Sequence, residues 1–285
     1  MRLIRTFLHR LLPLDWILLA YNLSILVLII MSPHSSENKS SLITIHLFML
    51  LWLFFLVLTS AHQETRLNRW MRLWYPLLML LWFTFETGLL QHTLFPRDFD
   101  PELLVLETGL FPERYYFTTP LSLSLFSHEL LHGIVLSFFI LLWLPAWIAR
   151  RRAFPLVKEY IFVLSFVVLV HFWIGILLPI SGPASLRSQV IPNGTVFIPA
   201  TEFLTQAAFR GSSAVTSLFA TAGVTIAYYS GKLFPRARRL FVVWLFLLLI
   251  STVVCTFHYS VSTIAGVLSG TLLLVIGRKL YEKSV

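Results

Sequence analysis

Eight stretches of mostly apolar residues, each about 20 residues long, dominate this sequence. A helix needs ~20 apolar residues to cross the ~30 Å hydrocarbon core of a bilayer, and a helix satisfies its own backbone hydrogen bonds inside lipid. We therefore predict an all-α integral membrane protein with about eight transmembrane helices. The predicted spans lie near residues 14–32, 41–60, 72–90, 126–149, 158–179, 212–230, 240–258 and 261–280.

The composition agrees with a chain whose solvent is lipid. Hydrophobic residues make up 57% of the chain and charged residues only 12%, whereas a soluble domain carries about 25% charged residues. The net charge of +9 does not indicate nucleic-acid binding, because no basic patch interleaved with exposed aromatic residues forms a soluble module. We therefore expect membrane lipids, and no nucleic acid, as partners.

The distribution of Lys and Arg predicts the orientation of the chain. Basic clusters flank one side of the predicted spans, at residues 2–10, 66–72, 150–158, 232–239 and 278–283. Cytoplasmic loops carry the excess of Lys and Arg in membrane proteins, so we place both termini in the cytoplasm. Loops 91–125 and 180–211 then lie on the opposite, non-cytoplasmic face, where we expect the functional site.

The stretch from Ser251 to Gly266 carries the most informative motif, Ser-Thr-x5-His-Tyr-x6-Gly, with His258 at the outer end of the seventh span. It resembles the third motif of the type 2 phosphatidic acid phosphatase superfamily, in the branch related to inositol phosphorylceramide synthases. Ser251, Thr252, His258, Tyr259 and Gly266 match that motif in spacing. The resemblance implies that His258 is a nucleophile that accepts a phosphoryl group, with Ser251 and Tyr259 near the substrate.

One position of this motif departs from the family. The resemblance implies an aspartate four residues after the nucleophile, where it orients the imidazole, and this chain has Ser262 there. An activated nucleophile is paired with a group that is itself oriented by a third side chain, and a hydroxyl cannot stabilise a cationic imidazole as a carboxylate does. Glu202, in the second outer loop, is the closest candidate for that role.

The other motifs of the family match only in part. Its second motif, Pro-Ser-x-His, falls on residues 212–215, where Ser213 matches the serine and Val215 occupies the position of the general-acid histidine. Loss of a general acid typically reduces a rate by roughly 10²–10⁴-fold. Arg187 and Arg210 are the candidate phosphate-binding side chains.

The resemblance also implies a division of the chain and a function. It covers residues 72–285, a six-helix lipid-phosphatase-like core, and residues 1–71 add two N-terminal helices. The implied protein is a phosphatase or phosphotransferase that acts on a phospholipid or isoprenoid-phosphate headgroup at the non-cytoplasmic face, without a metal cofactor. Because Val215 and Ser262 replace two catalytic side chains, a non-catalytic lipid-binding or assembly subunit of the same fold stays open.

A second motif indicates a different chemistry. Residues 128–132 read His-Glu-Leu-Leu-His at the start of the fourth span. On a helix, His128 and His132 share one face and could bind one Zn²⁺ while Glu129 activates a water molecule. A membrane zinc hydrolase is therefore an alternative function, and a polar helix start capped by Ser127 is an alternative without chemistry. In the phosphotransferase interpretation, Glu129 and His132 belong to the same site as His258.

Two further ionisable residues, Glu86 and His171, are predicted to lie inside spans. Ionisable groups are costly in lipid and usually face the interior of the helix bundle. Either side chain could line a polar pocket or form a hydrogen bond between helices. For His171 we favour the hydrogen bond.

Overall fold

A computed structural model of the chain describes residue 7 and residues 10–32, 39–62, 65–111, 119–183, 187–209 and 213–284. Within these ranges almost every element is a helix. The helices are α1 (Pro13–Met31), α2 (Lys39–His62), α3 (Arg66–Leu90), α4 (Asp100–Leu110), α5 (Leu125–Leu141), α6 (Leu144–Ala149), α7 (Phe154–Leu177), α8 (Arg187–Val190), α9 (Phe197–Phe209), α10 (Leu218–Leu233), α11 (Arg238–Val254) and α12 (Ser260–Ser284). Two short strands, β1 (Pro179–Ile180) and β2 (Ser213–Ala214), pair antiparallel.

Six of the described helices are long and apolar enough to cross a membrane, namely α1, α2, α3, α7, α11 and α12. These helices confirm the prediction of an all-α membrane protein with several spans. The two remaining predicted spans correspond to shorter helices: α5 has 17 residues and α10 has 16. The predicted span 126–149 is divided, because α5 ends at Leu141 and a separate helix, with Pro145 in its first turn, follows.

Helix α10 is the centre of the bundle and packs against α7, α11 and α12. Phe219, Thr221, Thr225 and Tyr229 along its length are all buried. The polar composition of this segment predicts a helix that faces protein instead of lipid, and the burial confirms it. The hydrophobic cluster that contains Phe219 and Tyr229 continues through α1, α2, α3 and α7.

Small residues on α12 allow it to approach α10 closely. A Cβ atom added to Gly266 would lie 2.7 Å from the Cβ of Ala220, and one added to Gly270 would lie 2.5 Å from the carbonyl oxygen of Thr221. Both distances are too short for any side chain. The glycines are therefore required for this helix pair, as small residues are at many helix interfaces in membranes.

Buried polar contacts fasten the two N-terminal helices to α3. Asp15 on α1 accepts hydrogen bonds from Arg72 and from the hydroxyl of Tyr75. Glu86 is hydrogen-bonded to the buried ring of His46 on α2, and that ring also contacts Asn22 on α1 at 3.0 Å. Glu86 thus serves helix packing. Such groups are costly in lipid unless they are paired inside the protein.

Candidate functional site

A cavity of about 700 Å³ lies where the ends of several helices meet. It is enclosed by the C-terminal parts of α3 and α7, the segment between β1 and α9, α9 itself and the connection between α11 and α12. Polar side chains form much of its wall: Thr84, His171, Arg187, Asn193, Glu202, Gln206 and His258. A cavity with apolar walls into which several polar side chains converge is the natural candidate for a binding site.

The connection between α11 and α12 presents His258 to this cavity. The backbone N–H groups of Phe257 and His258 both donate to the carbonyl of Thr252, at 2.9 and 3.1 Å. Thr256 has a positive φ of 54°, so the chain reverses tightly there. His258 is buried, with its ring centroid 5.9 Å from that of Phe219, and burial lowers the pKa of His258 to about 3. The imidazole is therefore neutral at pH 7, which is the form that can attack an electrophile.

Two carboxylates from α4 hold this connection in place. Glu107 accepts hydrogen bonds from the backbone N–H groups of Ser260 and Val261, both at 2.8 Å, in the first turn of α12. Asp100 accepts a hydrogen bond of 3.3 Å from the hydroxyl of Tyr259. A carboxylate at a helix N-terminus accepts hydrogen bonds from N–H groups that have no partner within the helix. Its negative charge also interacts favourably with the positive end of the helix dipole. Asp100 and Glu107 therefore anchor the residues that directly follow the turn.

Replacing Glu107 by glutamine is expected to destabilise the protein by about 1 kcal/mol, a typical value for loss of a helix cap. The amide offers one acceptor oxygen where the carboxylate offers two, and it lacks the negative charge. Thermal unfolding in detergent measures the effect. The matched control is Glu102→Gln, an exposed position on the same helix. Equal midpoints for Glu107→Gln and wild type would contradict the capping role.

Arg187 reaches the same cavity from α8. Its guanidinium forms an ion pair with Glu202 on α9, donates to the backbone carbonyl of Cys255 and lies 3.8 Å from the ring centre of Phe257. It is therefore fixed beside the turn that carries His258. A buried, oriented guanidinium suits the recognition of a phosphate group. Glu202, the candidate to orient His258, instead pairs with Arg187.

His171 lies near the C-terminal end of α7 and also lines the cavity. Its Nδ1 is hydrogen-bonded to the hydroxyl of Thr216 at 3.1 Å, so it does link α7 to the segment that precedes α10. That link is the role favoured from the sequence, and the cavity adds the polar pocket that was its alternative. The signal in the sequence that favours the pocket is the position of His171 in the C-terminal half of α7, away from Lys158.

The His-Glu-x-x-His segment is organised for packing. Glu129 accepts hydrogen bonds from the backbone N–H groups at the start of α9, including those of Val196 at 3.1 Å and Phe197 at 2.6 Å. The ring of His128 contacts the carbonyl of Pro120, and His132 contacts the carbonyl of His128. Within the described ranges, no three His, Cys, Asp or Glu side chains are arranged to hold a metal ion. His132 reaches the cavity wall indirectly, since its ring packs on that of Phe257 at 5.9 Å.

Two other predicted site residues, Ser262 and Ser251, do not line the cavity. Ser262 is buried on α12, and among the described residues its hydroxyl has no hydrogen-bond partner. Ser251 donates to the carbonyl of Leu247 within α11. The backbone of Ser213 belongs to β2, and Arg210 lies outside the described residues. The structure therefore brings His258, Arg187 and His171 together, and leaves Ser262 and Ser251 in helix packing.

Comparison with known proteins identifies no family for this chain. No protein-family model, no curated protein and no solved structure matches the chain. The function proposed for this chain therefore rests on its residues and on the geometry of the cavity.

Proposed function

We propose that the cavity binds the phosphate of a phospholipid or isoprenoid-phosphate headgroup, and that His258 accepts the phosphoryl group during hydrolysis or transfer. The observation that carries this proposal is that His258 and Arg187 line the same cavity. A neutral imidazole is a nucleophile. A guanidinium beside it stabilises the charge that develops on the phosphoryl oxygens.

The remaining wall suits a headgroup attached to a lipid. Asn193, Gln206 and Ser188 provide neutral hydrogen-bonding groups, while Ile198 and Leu218 are apolar. Glu202 limits the net positive charge near Arg187. A site of this kind binds a phosphate ester with polar and apolar neighbours better than it binds a free, strongly hydrated anion.

We also propose eight spans with both termini in the cytoplasm and the cavity at the non-cytoplasmic face. In this arrangement α5 and α10 complete the set of spans. Neighbouring helices cover α10, whereas α5 exposes Phe126, Leu130 and Ile140, as a helix in contact with lipid does. Arg72 lies near the start of α3 and Lys158 near the start of α7, whereas Thr87 and His171 line the cavity near the opposite ends. The positive-inside rule then gives the orientation.

Phosphate release tests the proposed activity. The full-length protein in lipid nanodiscs is incubated with phosphatidic acid, ceramide 1-phosphate and an isoprenoid diphosphate, and inorganic phosphate is measured. We expect release from at least one of these lipids above the rate of empty nanodiscs. A protein that neither releases phosphate from any of them nor binds them would contradict the proposal.

A non-catalytic lipid-binding subunit is the second candidate function. The observation in its favour is that Ser262, at the expected aspartate position, is buried in helix packing, so its hydroxyl does not line the cavity. Saturable binding of a lipid phosphate without turnover in the same assay would support this function over the enzyme.

Metal removal separates the proposed enzyme from a zinc hydrolase. Glu129 is bonded to the backbone at the start of α9, so it is not available to activate a metal-bound water. We expect phosphate release to be unchanged after dialysis against a strong chelator. Loss of activity on chelation, with recovery on addition of Zn²⁺, would instead support the zinc hydrolase.

A further inference from the structure

Phosphoryl transfer from a lipid needs a proton donor as well as a nucleophile. The bond between phosphorus and the lipid oxygen breaks, and the leaving oxygen departs far more readily when it receives a proton. Position 215, where the resemblance places such a donor, holds a valine. The Val215 side chain packs against the small cluster of Leu103, Ile180 and Tyr259.

The cavity wall offers few groups that can carry a proton. Among its described residues, the ionisable side chains are His171, Arg187, Glu202 and His258. Glu202 is held in an ion pair by Arg187, and a guanidinium does not release its proton in proteins. If His258 forms the bond to phosphorus, His171 is the group that is left.

The geometry of His171 suits a proton carrier. Thr216 is the residue directly after Val215, and its hydroxyl is bonded to Nδ1 of His171 at 3.1 Å. This contact engages Nδ1 and orients the ring in the cavity wall. His171 is also close enough to His258 for the two rings to interact electrostatically. A phosphate dianion bound between them favours the protonated imidazole, since an opposite charge stabilises it.

We propose that His171, oriented by Thr216, is the catalytic acid and base of this site; this inference rests on the function proposed above. In the first step a ring nitrogen of His258 bonds to phosphorus, the phosphorus–oxygen bond to the lipid breaks, and His171 gives its proton to the leaving oxygen. In the second step water attacks the phosphorus, His171 takes a proton from it, and the bond to His258 breaks. After the second step His171 is protonated again, His258 is free of the phosphoryl group, and inorganic phosphate is released.

Two substrates test this proposal, one whose leaving group needs a proton and one whose leaving group does not. Wild type, His171→Ala and His258→Ala are each assayed with an alkyl lipid phosphate and with p-nitrophenyl phosphate, whose leaving group departs without a proton. The measurement is kcat/KM, which reports the first step alone, because the second step is the same for both esters. We expect kcat/KM of His171→Ala to fall roughly 10²–10⁴-fold on the alkyl ester, the usual effect of a lost general acid, and much less on the aryl ester. His258→Ala should lose activity on both esters.

The aryl ester also reports whether the variant folds, because the His171→Ala protein must still release p-nitrophenol from it in the first step. Thr216→Val provides a second measurement: it keeps His171 but removes the hydrogen bond that fixes it, so a smaller loss of kcat/KM confined to the alkyl ester is expected. Equal losses of kcat/KM on both esters in His171→Ala, or no loss on either, would overturn the role of His171 while leaving the proposed function intact. Wild-type activity in His258→Ala would instead remove the proposed function, and this inference with it.

Discussion

Replacing His258 by alanine is expected to reduce phosphate release from a lipid phosphate by at least about 10³-fold, as removal of a covalent nucleophile does in other enzymes. No described neighbour in the cavity can replace its ring nitrogen at the same position, because the tight turn fixes where the imidazole stands. The measurement is kcat/KM for phosphate release in nanodiscs, at equal amounts of protein that elutes as a single species.

The matched control for this variant is His92→Asn. His92 lies outside the cavity wall and has a positive φ of 65°, a conformation that asparagine tolerates better than most residues. We expect wild-type activity from it. If His258→Ala were as active as His92→Asn, His258 would not be the nucleophile.

Replacing Arg187 by alanine is expected to reduce kcat/KM by about 100-fold. Hydrogen bonds to charged groups contribute ~1.5–3 kcal/mol each, and the variant also leaves Glu202 unpaired at the cavity wall. Arg187→Lys should recover only part of the loss, because an ammonium group cannot bind phosphate and carboxylate together as the planar guanidinium does. The assay is the same phosphate release, with the substrate concentration varied to separate kcat from KM.

A matched control exists for this ion pair as well. Arg97 pairs with Glu102 at 2.6 Å on the surface of the protein, where both side chains are exposed. Exposed pairs contribute little, so Arg97→Ala should leave activity unchanged. A similar loss in Arg97→Ala and Arg187→Ala would show that surface charge, not a phosphate contact in the cavity, controls the rate.

The helical fold could be predicted because its signals are local. Apolar length alone predicts α1, α2, α3, α7, α11 and α12 as spans. Length does not predict where α5 stops, since Leu141 is followed by more apolar residues and only the break before Pro145 ends the helix. Likewise β2 depends on pairing with β1, a contact between distant parts of the chain.

Part of the candidate site could be identified from the sequence. The motif spacing singles out His258, Arg187 is a candidate phosphate-binding side chain, and both line the cavity. Whether His171 lines a pocket or only links helices could not be decided, because its partner Thr216 is far away in sequence. The His-Glu-x-x-His spacing places His128 and His132 on one helix face. It does not predict that Glu129 accepts hydrogen bonds from the backbone at the start of α9.

Trapping of a phosphorylated protein tests the central claim most directly. The protein is mixed with a lipid carrying radioactive phosphate, quenched in alkali within the first turnovers, and the labelled peptide is identified. We predict a label that is stable in alkali, lost in acid and located on His258, with none in His258→Ala. A label on another residue, or phosphate release by wild type without any labelled protein at any quench time, would contradict the account.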